Sequence, residues 1–167
     1  IIIVTKSTPD ISQQERKKII KKIQPKINQK IYFSYIKEYR YINTENKERI
    51  NLQGNETHAL ITGIENATPL LDFLKNTNIK HHHFKFRDHH QFEEKEILSI
   101  INVKSMQNLS SNLIMTEKDY YRLSLKHKEI LKKQFKLICI QIEVDFIECD
   151  KSHFNNQLIN FETSKTI

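Results

Sequence analysis

Apolar positions along the chain switch repeatedly between two periods. Residues 1–5, Ile-Ile-Ile-Val-Thr, form an unbroken β-branched run. Such a run predicts a strand buried on both faces, as in a parallel sheet. Ser12 and Glu15 then stand at capping-box spacing, and Ile19, Ile20, Ile23 and Ile27 follow at helical intervals. Pro25 is expected to end that helix. Residues 31–36 read as a second strand, and the polar residues 37–57 as a connector. Residues 59–62 read as a third strand, closed by Gly63. Thr68 and Pro69 supply an N-cap and a first-turn proline for a helix with Leu70, Leu71 and Leu74 on its apolar stripe.

The second half repeats the pattern. Residues 81–86 alternate as a strand, and Asp88, His89, His90 and Gln91 make the turn after it. Phe92, Ile97, Leu98 and Ile101 mark a helix with Glu93 and Glu94 in its first turn, where the helix dipole favours acidic groups. Residues 113–115 are a short strand. Thr116 caps the next helix, and Asp119 closes its capping box. Residues 137–142 form a strand, residues 144–147 one more, and from Ser152 a tail helix carries Phe154, Leu158 and Phe161 on one face. Strands alternating with helices predict a layered α/β fold: a mainly parallel sheet flanked by helices. A chain that starts inside a core strand reads as the continuation of something upstream.

Composition narrows the chemistry. There are only 2 glycines, Gly54 and Gly63, among 167 residues. A phosphate loop needs two glycines followed by Lys and Ser/Thr, and a dinucleotide fingerprint needs three, so neither motif fits. The 27 Lys and Arg residues outnumber 20 Asp and Glu, for a formal charge of +7. This balance suits an anionic partner, and it also follows from a general Lys, Ile and Asn enrichment at the expense of Gly and Ala. Lys17, Lys18, Lys21 and Lys22, on the polar face of the first helix, are the residues through which an anionic membrane surface would act. Nucleic acid is not expected, because no nucleic-acid motif or aromatic-interleaved basic stripe is present. Cys139 sits in an apolar run and reads as a core residue, and two cysteines make no disulfide framework. No apolar stretch reaches the ~18 residues of a membrane span, and no signal-peptide pattern opens the chain.

Five histidines, His81, His82, His83, His89 and His90, fall within ten positions. Consecutive strand residues point to opposite faces, so His81, His82 and His83 cannot converge on one ion, and no metal site is expected. Asp88 and His89 carry the sharper chemistry. They lie in a turn just after a strand, where α/β folds present ligand groups. An Asp can orient an imidazole that relays a proton or steadies another carboxylate. From spacing alone the favoured reading is a turn Asp bonded to its own backbone beside an exposed His. Lys6, Glu117 and Lys118 stand at similar strand ends without an assigned role.

The order of these pieces resembles a known family. Ile2-Ile3-Val4-Thr5-Lys6, Phe33-Ser34, Leu60-Ile61-Thr62-Gly63-Ile64-Glu65-Asn66 with Pro69, Phe86-Arg87-Asp88-His89-His90-Gln91-Phe92 and Met115-Thr116-Glu117-Lys118-Asp119 with Arg122-Leu123 resemble the C-terminal half of tetraacyldisaccharide 4'-kinase, the lipid A kinase of Gram-negative bacteria. The resemblance implies that residues 1–167 are the C-terminal lobe of a P-loop-type kinase whose N-terminal part is not in this chain. It implies transfer of a phosphoryl group from ATP, with Mg²⁺, to the 4'-hydroxyl of a tetraacylated glucosamine disaccharide. Both ATP and Mg²⁺ would be bound mainly by the absent part, so this chain is not expected to be active alone. It implies peripheral association with the cytoplasmic face of the inner membrane. By the Asp-His-x-x-Phe element, His89 matches the catalytic helper and Asp88 its neighbour. His90 and His81–His83 lie outside the pattern, and the Asn-Pro pair usual after Gly-Ile is split here into Asn66 and Pro69. A basic non-catalytic nucleic-acid-binding module and a degenerate remnant of the kinase fold are the rival readings.

Overall fold

The computed structural model describes residues 1–52, 54–147 and 149–163. They fall into two compact units, Ile1–Glu38 with Ile142–Ile167, and Tyr39–Gln141.

In the first unit, β1 (Ile2–Val4) pairs in parallel with the start of β2 (Ile31–Asn43), in register Ile2↔Ile31 and Val4↔Phe33. The expectation of a strand buried on both faces fails: Ile1 is 53% and Ile3 42% exposed. β1 pairs only with β2 among the described residues, so its outer side is uncovered. Helix α1 (Gln13–Ile23) starts at the predicted capping box. Ser12 Oγ accepts the Glu15 N–H, and the Glu15 carboxylate accepts the Ser12 N–H at 3.0 Å. It stops at Gln24, which turns left-handed with φ 49° ahead of Pro25. The helix buries no residue, and Ile27, expected on its stripe, lies beyond its end and is fully exposed. It docks instead through Arg16, whose guanidinium lies 4.6 Å from the Phe33 ring centroid and pairs with Asp150 at 2.8 Å. Asp150 also accepts the Phe33 N–H. It belongs to α6 (Cys149–Thr163), which packs Phe154 against Tyr32 and Phe146 at centroid distances of 5.3 and 4.6 Å.

The second unit is a parallel sheet with helices on both faces. Strands β4 (His58–Thr62), β5 (His81–Lys85), β6 (Asn112–Thr116) and β7 (Lys136–Phe146) stand in the order β7-β6-β4-β5. Every pair in that row is parallel. Pleating sends alternate side chains to opposite faces. Ala59, Ile61, Leu113, Met115, Leu137 and Cys139 meet α3 (Glu94–Met106) and α5 (Leu125–Lys132) on one side. Leu60, Ile114 and Ile140 meet α2 (Thr68–Asn76) on the other. Cys139 is in the core as expected; the side chain of Cys149 lies outside the described residues. The mixed, mostly parallel sheet flanked by helices agrees with the predicted α/β class.

Four local expectations change. The strand expected to end at residue 36 continues to Asn43, replacing much of the predicted connector. Tyr39 and Tyr41 alternate with Arg40 and Ile42, and both tyrosine rings pack on Phe73, at 4.4 and 5.9 Å. Past them, β3 (Arg49–Ile50) pairs antiparallel with the end of β2. The two strands expected over 137–147 are one continuous β7. Thr68 is the first helical residue of α2 rather than its cap: Ala67 holds the cap position and the Asn66 side chain accepts the Thr68 N–H. In α3 the buried positions are Ile97 and Ile100, while Leu98 is 47% exposed and Phe92 precedes the helix. Leu98 sits ~100° around the helix from Ile97, off the core-facing stripe.

Candidate functional site

Three parallel strands of the second unit release their chains at the same edge of the sheet. After β4 comes Gly63, after β5 the turn 87–90, and after β6 the short helix α4 (Glu117–Arg122). Carboxyl ends of parallel strands are where α/β sheets present reactive groups, because the loops there converge without blocking the strands.

Asp119 is the anchor. It is wholly buried. Its Oδ1 accepts the Gly63 N–H at 3.1 Å, and its Oδ2 accepts the Thr116 hydroxyl at 2.6 Å. The Thr116 oxygen in turn accepts the Asp119 N–H. The predicted capping role of Thr116 is present. Asp119, however, does not close a capping box; its carboxylate reaches across to the neighbouring strand's end. Burial pushes the Asp119 carboxyl above its ordinary value, against the pull of Thr116, the Gly63 N–H and Arg122. Space at position 63 is tight: a Cβ there would stand 3.1 Å from Asp119 Oδ1 and 3.4 Å from the Arg87 carbonyl oxygen.

Arg122 joins this anchor to the turn. Its Nη1 donates to the Gly63 carbonyl at 2.5 Å and lies 3.4 Å from Asp119 Oδ1. Its Nη2 stands 3.7 Å from Asp88 Oδ1 and 3.5 Å from His89 Nδ1. The guanidinium is only 15% exposed. The structure thus brings Asp88 and His89, singled out from the sequence, together with three residues the sequence reading gave no site role. The signal for Arg122 was its i, i+3 spacing from Asp119, which puts both on one helix face.

His89 itself is 83% exposed at its side chain and adopts a left-handed φ of 57°. Asp88 Oδ1 accepts the His89 N–H at 3.0 Å, and Asp88 Oδ2 lies 3.5 Å from His89 Nε2. Asp88 therefore both bonds the backbone of its own turn and lies beside the His89 ring. The other histidines have structural partners. His90 pairs with Glu96 at 2.8 Å and stacks on Phe86. His83 meets Thr62 Oγ1 at 2.7 Å, and burial holds its imidazole below the ordinary value. His81 meets the Ile79 carbonyl. Glu117 accepts from Gln141 at 2.6 Å. Among the described residues no group of three His, Cys, Asp or Glu side chains could hold a metal ion. Lys6 belongs to the other unit.

Comparison with known proteins points one way. The family described as Tetraacyldisaccharide-1-P 4'-kinase matches residues 1–162. A Tetraacyldisaccharide 4'-kinase of Flavobacterium johnsoniae is 30% identical over 166 residues, covering 98% of this chain and 43% of the relative. Those of Bacteroides thetaiotaomicron and Bacteroides fragilis are 27% and 28% identical, covering 99% of this chain and 47% and 46% of theirs. The chain thus spans a little under half the length of these curated relatives. No solved structure matches it.

Proposed function

The chain belongs to the tetraacyldisaccharide-1-P 4'-kinase family, and on that premise we propose that it is the C-terminal part of an enzyme phosphorylating the 4'-hydroxyl of a tetraacylated glucosamine disaccharide at the expense of ATP. The observation that carries this reading is the Asp88–His89 turn, held at the carboxyl ends of β4, β5 and β6 by Arg122 and open to solvent. Positioning is most of what phosphoryl transfer asks of a protein. In this reading His89 helps the acceptor hydroxyl lose its proton, either taking it or steadying the carboxylate that takes it, and Asp88 keeps the imidazole in place.

ATP and Mg²⁺ are assigned to residues outside this chain. With Gly54 and Gly63 as its only glycines it offers no phosphate loop, and no acidic cluster for a cation stands among its described residues. The lipid acceptor and the basic helix suggest a peripheral place on the cytoplasmic face of the inner membrane. No described helix is long and apolar enough to cross a bilayer. Lys17, Lys18, Lys21 and Lys22 of α1 are all exposed and would face the anionic lipid.

The test is direct. The full-length protein is incubated with γ-labelled ATP and the tetraacyl disaccharide 1-phosphate, and the product is analysed for label at the 4' position. Transfer to that position is expected. A protein that binds ATP but leaves the disaccharide unlabelled would refute the assignment.

A further inference from the structure

Arg122 touches all three strand ends: Gly63 after β4, the Asp88–His89 turn after β5, and Asp119 after β6. A guanidinium only donates hydrogen bonds and stays charged throughout the working pH range. Its Nη2 faces His89 Nδ1 at 3.5 Å. A donor facing that nitrogen requires a lone pair on it, so the ring proton must sit on Nε2. Nε2 is also the nitrogen on the Asp88 Oδ2 side, at 3.5 Å. A carboxylate there favours an N–H, so both neighbours select the same tautomer.

We propose that Arg122 is a positioning residue that fixes His89 as the Nε2–H tautomer and holds its turn over the end of β4. The guanidinium is held from behind by the Gly63 carbonyl and the buried Asp119, so it cannot follow His89 if the turn drifts. His89, by contrast, is mostly exposed and sits at a left-handed φ. The Nε2 proton then lies on the Asp88 side of the ring. Such an imidazole orients a neighbouring carboxylate or oxygen rather than taking a proton in its resting state. The catalytic consequence rests on the kinase reading; the tautomer does not.

The charged groups facing His89 are Asp88 from its own turn and Arg122 from α4, with Asp119 behind Arg122. Removing the cation takes away the donor that faces Nδ1. The experiment is ¹⁵N NMR of the full-length protein labelled at histidine, with the His89 signals identified by their loss in His89→Gln. In the parent, the neutral ring should be protonated at Nε2. In Arg122→Gln the two tautomers should mix. A parent ring protonated at Nδ1 would overturn the proposal without any Arg122 variant being needed. So would an Arg122→Gln spectrum with an unchanged tautomer. In the kinase assay Arg122→Gln should lower kcat by about 10- to 100-fold with little change in KM for ATP, as displacement of a helper group does. Arg122→Lys, which keeps the charge but not the fork, should recover only part of that loss. If the parent transfers no phosphoryl group the kinase reading fails, while the NMR result still decides the role of Arg122.

Discussion

Replacing Asp119 by alanine removes the acceptor of two protein donors at once. The Gly63 N–H loses its partner at 3.1 Å, and the Thr116 hydroxyl loses its partner at 2.6 Å. The site is wholly buried, so water does not replace either bond without opening the sheet edge. A buried donor left unpaired costs about 1–3 kcal/mol. The hydroxyl can rotate towards another acceptor, whereas the Gly63 N–H is fixed by the backbone. Arg122 keeps the Gly63 carbonyl and Asp88 and loses a weaker contact at 3.4 Å. The expected loss is about 3 kcal/mol, a large share of the ~5–15 kcal/mol that holds an ordinary domain. Asp119→Asn retains an oxygen for the Gly63 N–H and should cost about 1 kcal/mol. Urea unfolding followed by circular dichroism measures both. An alanine variant within 1 kcal/mol of the parent, or an asparagine variant as damaging as alanine, would show that the Gly63–Asp119 link is not what holds this edge.

The same carboxyl gives a pH signature. Burial raises its folded value above the ordinary 3.8, so its contribution to stability is complete below that pH and is lost as pH rises through the folded value. The parent should therefore lose stability relative to Asp119→Asn as pH rises above about 4, and a constant difference in urea midpoints would contradict this. Gly63→Ala places a Cβ 3.1 Å from Asp119 Oδ1, whose oxygen is held by the Gly63 N–H, and should destabilise by about 1–3 kcal/mol in thermal unfolding; an unchanged midpoint would show that this edge gives way. Burial pushes the Cys139 thiol up to about 12, so in a Cys149→Ser background it should resist a disulfide reagent at pH 8 until the protein unfolds; reaction in the native state would place it outside the core. Replacing Lys17, Lys18, Lys21 and Lys22 together by Gln should weaken sedimentation with anionic vesicles and leave neutral vesicles unaffected; equal binding to both would remove α1 from any membrane role.

The alternation of strands and helices was legible because β4, β6 and the start of β7 are short apolar runs and α2 and α3 each carry their own stripe. The errors came where composition and pattern diverge. Residues 37–43 are polar in composition, yet Tyr39 and Tyr41 alternate and pack on Phe73, so the strand continues. Residues 1–5 are apolar in composition, yet Ile1 and Ile3 are exposed, because a strand's burial depends on neighbours that its own sequence does not name. The site shows the same division. Asp88 and His89 could be read from an Asp-His pair at a strand end. Asp119 was visible only as a helix-capping residue, since its bond to Gly63 spans 56 positions. Arg122 carries no local signal beyond its spacing from Asp119, and its contacts with Gly63, Asp88 and His89 arise only when three strand ends meet.

The account depends most on His89. In the full-length protein, steady-state kinetics of His89→Ala against the parent, with ATP binding measured separately, tests it most directly. Loss of a proton-handling group should lower kcat by about 100-fold or more while ATP affinity stays unchanged. Equal turnover in the variant and the parent would remove the Asp88–His89 turn from the reaction.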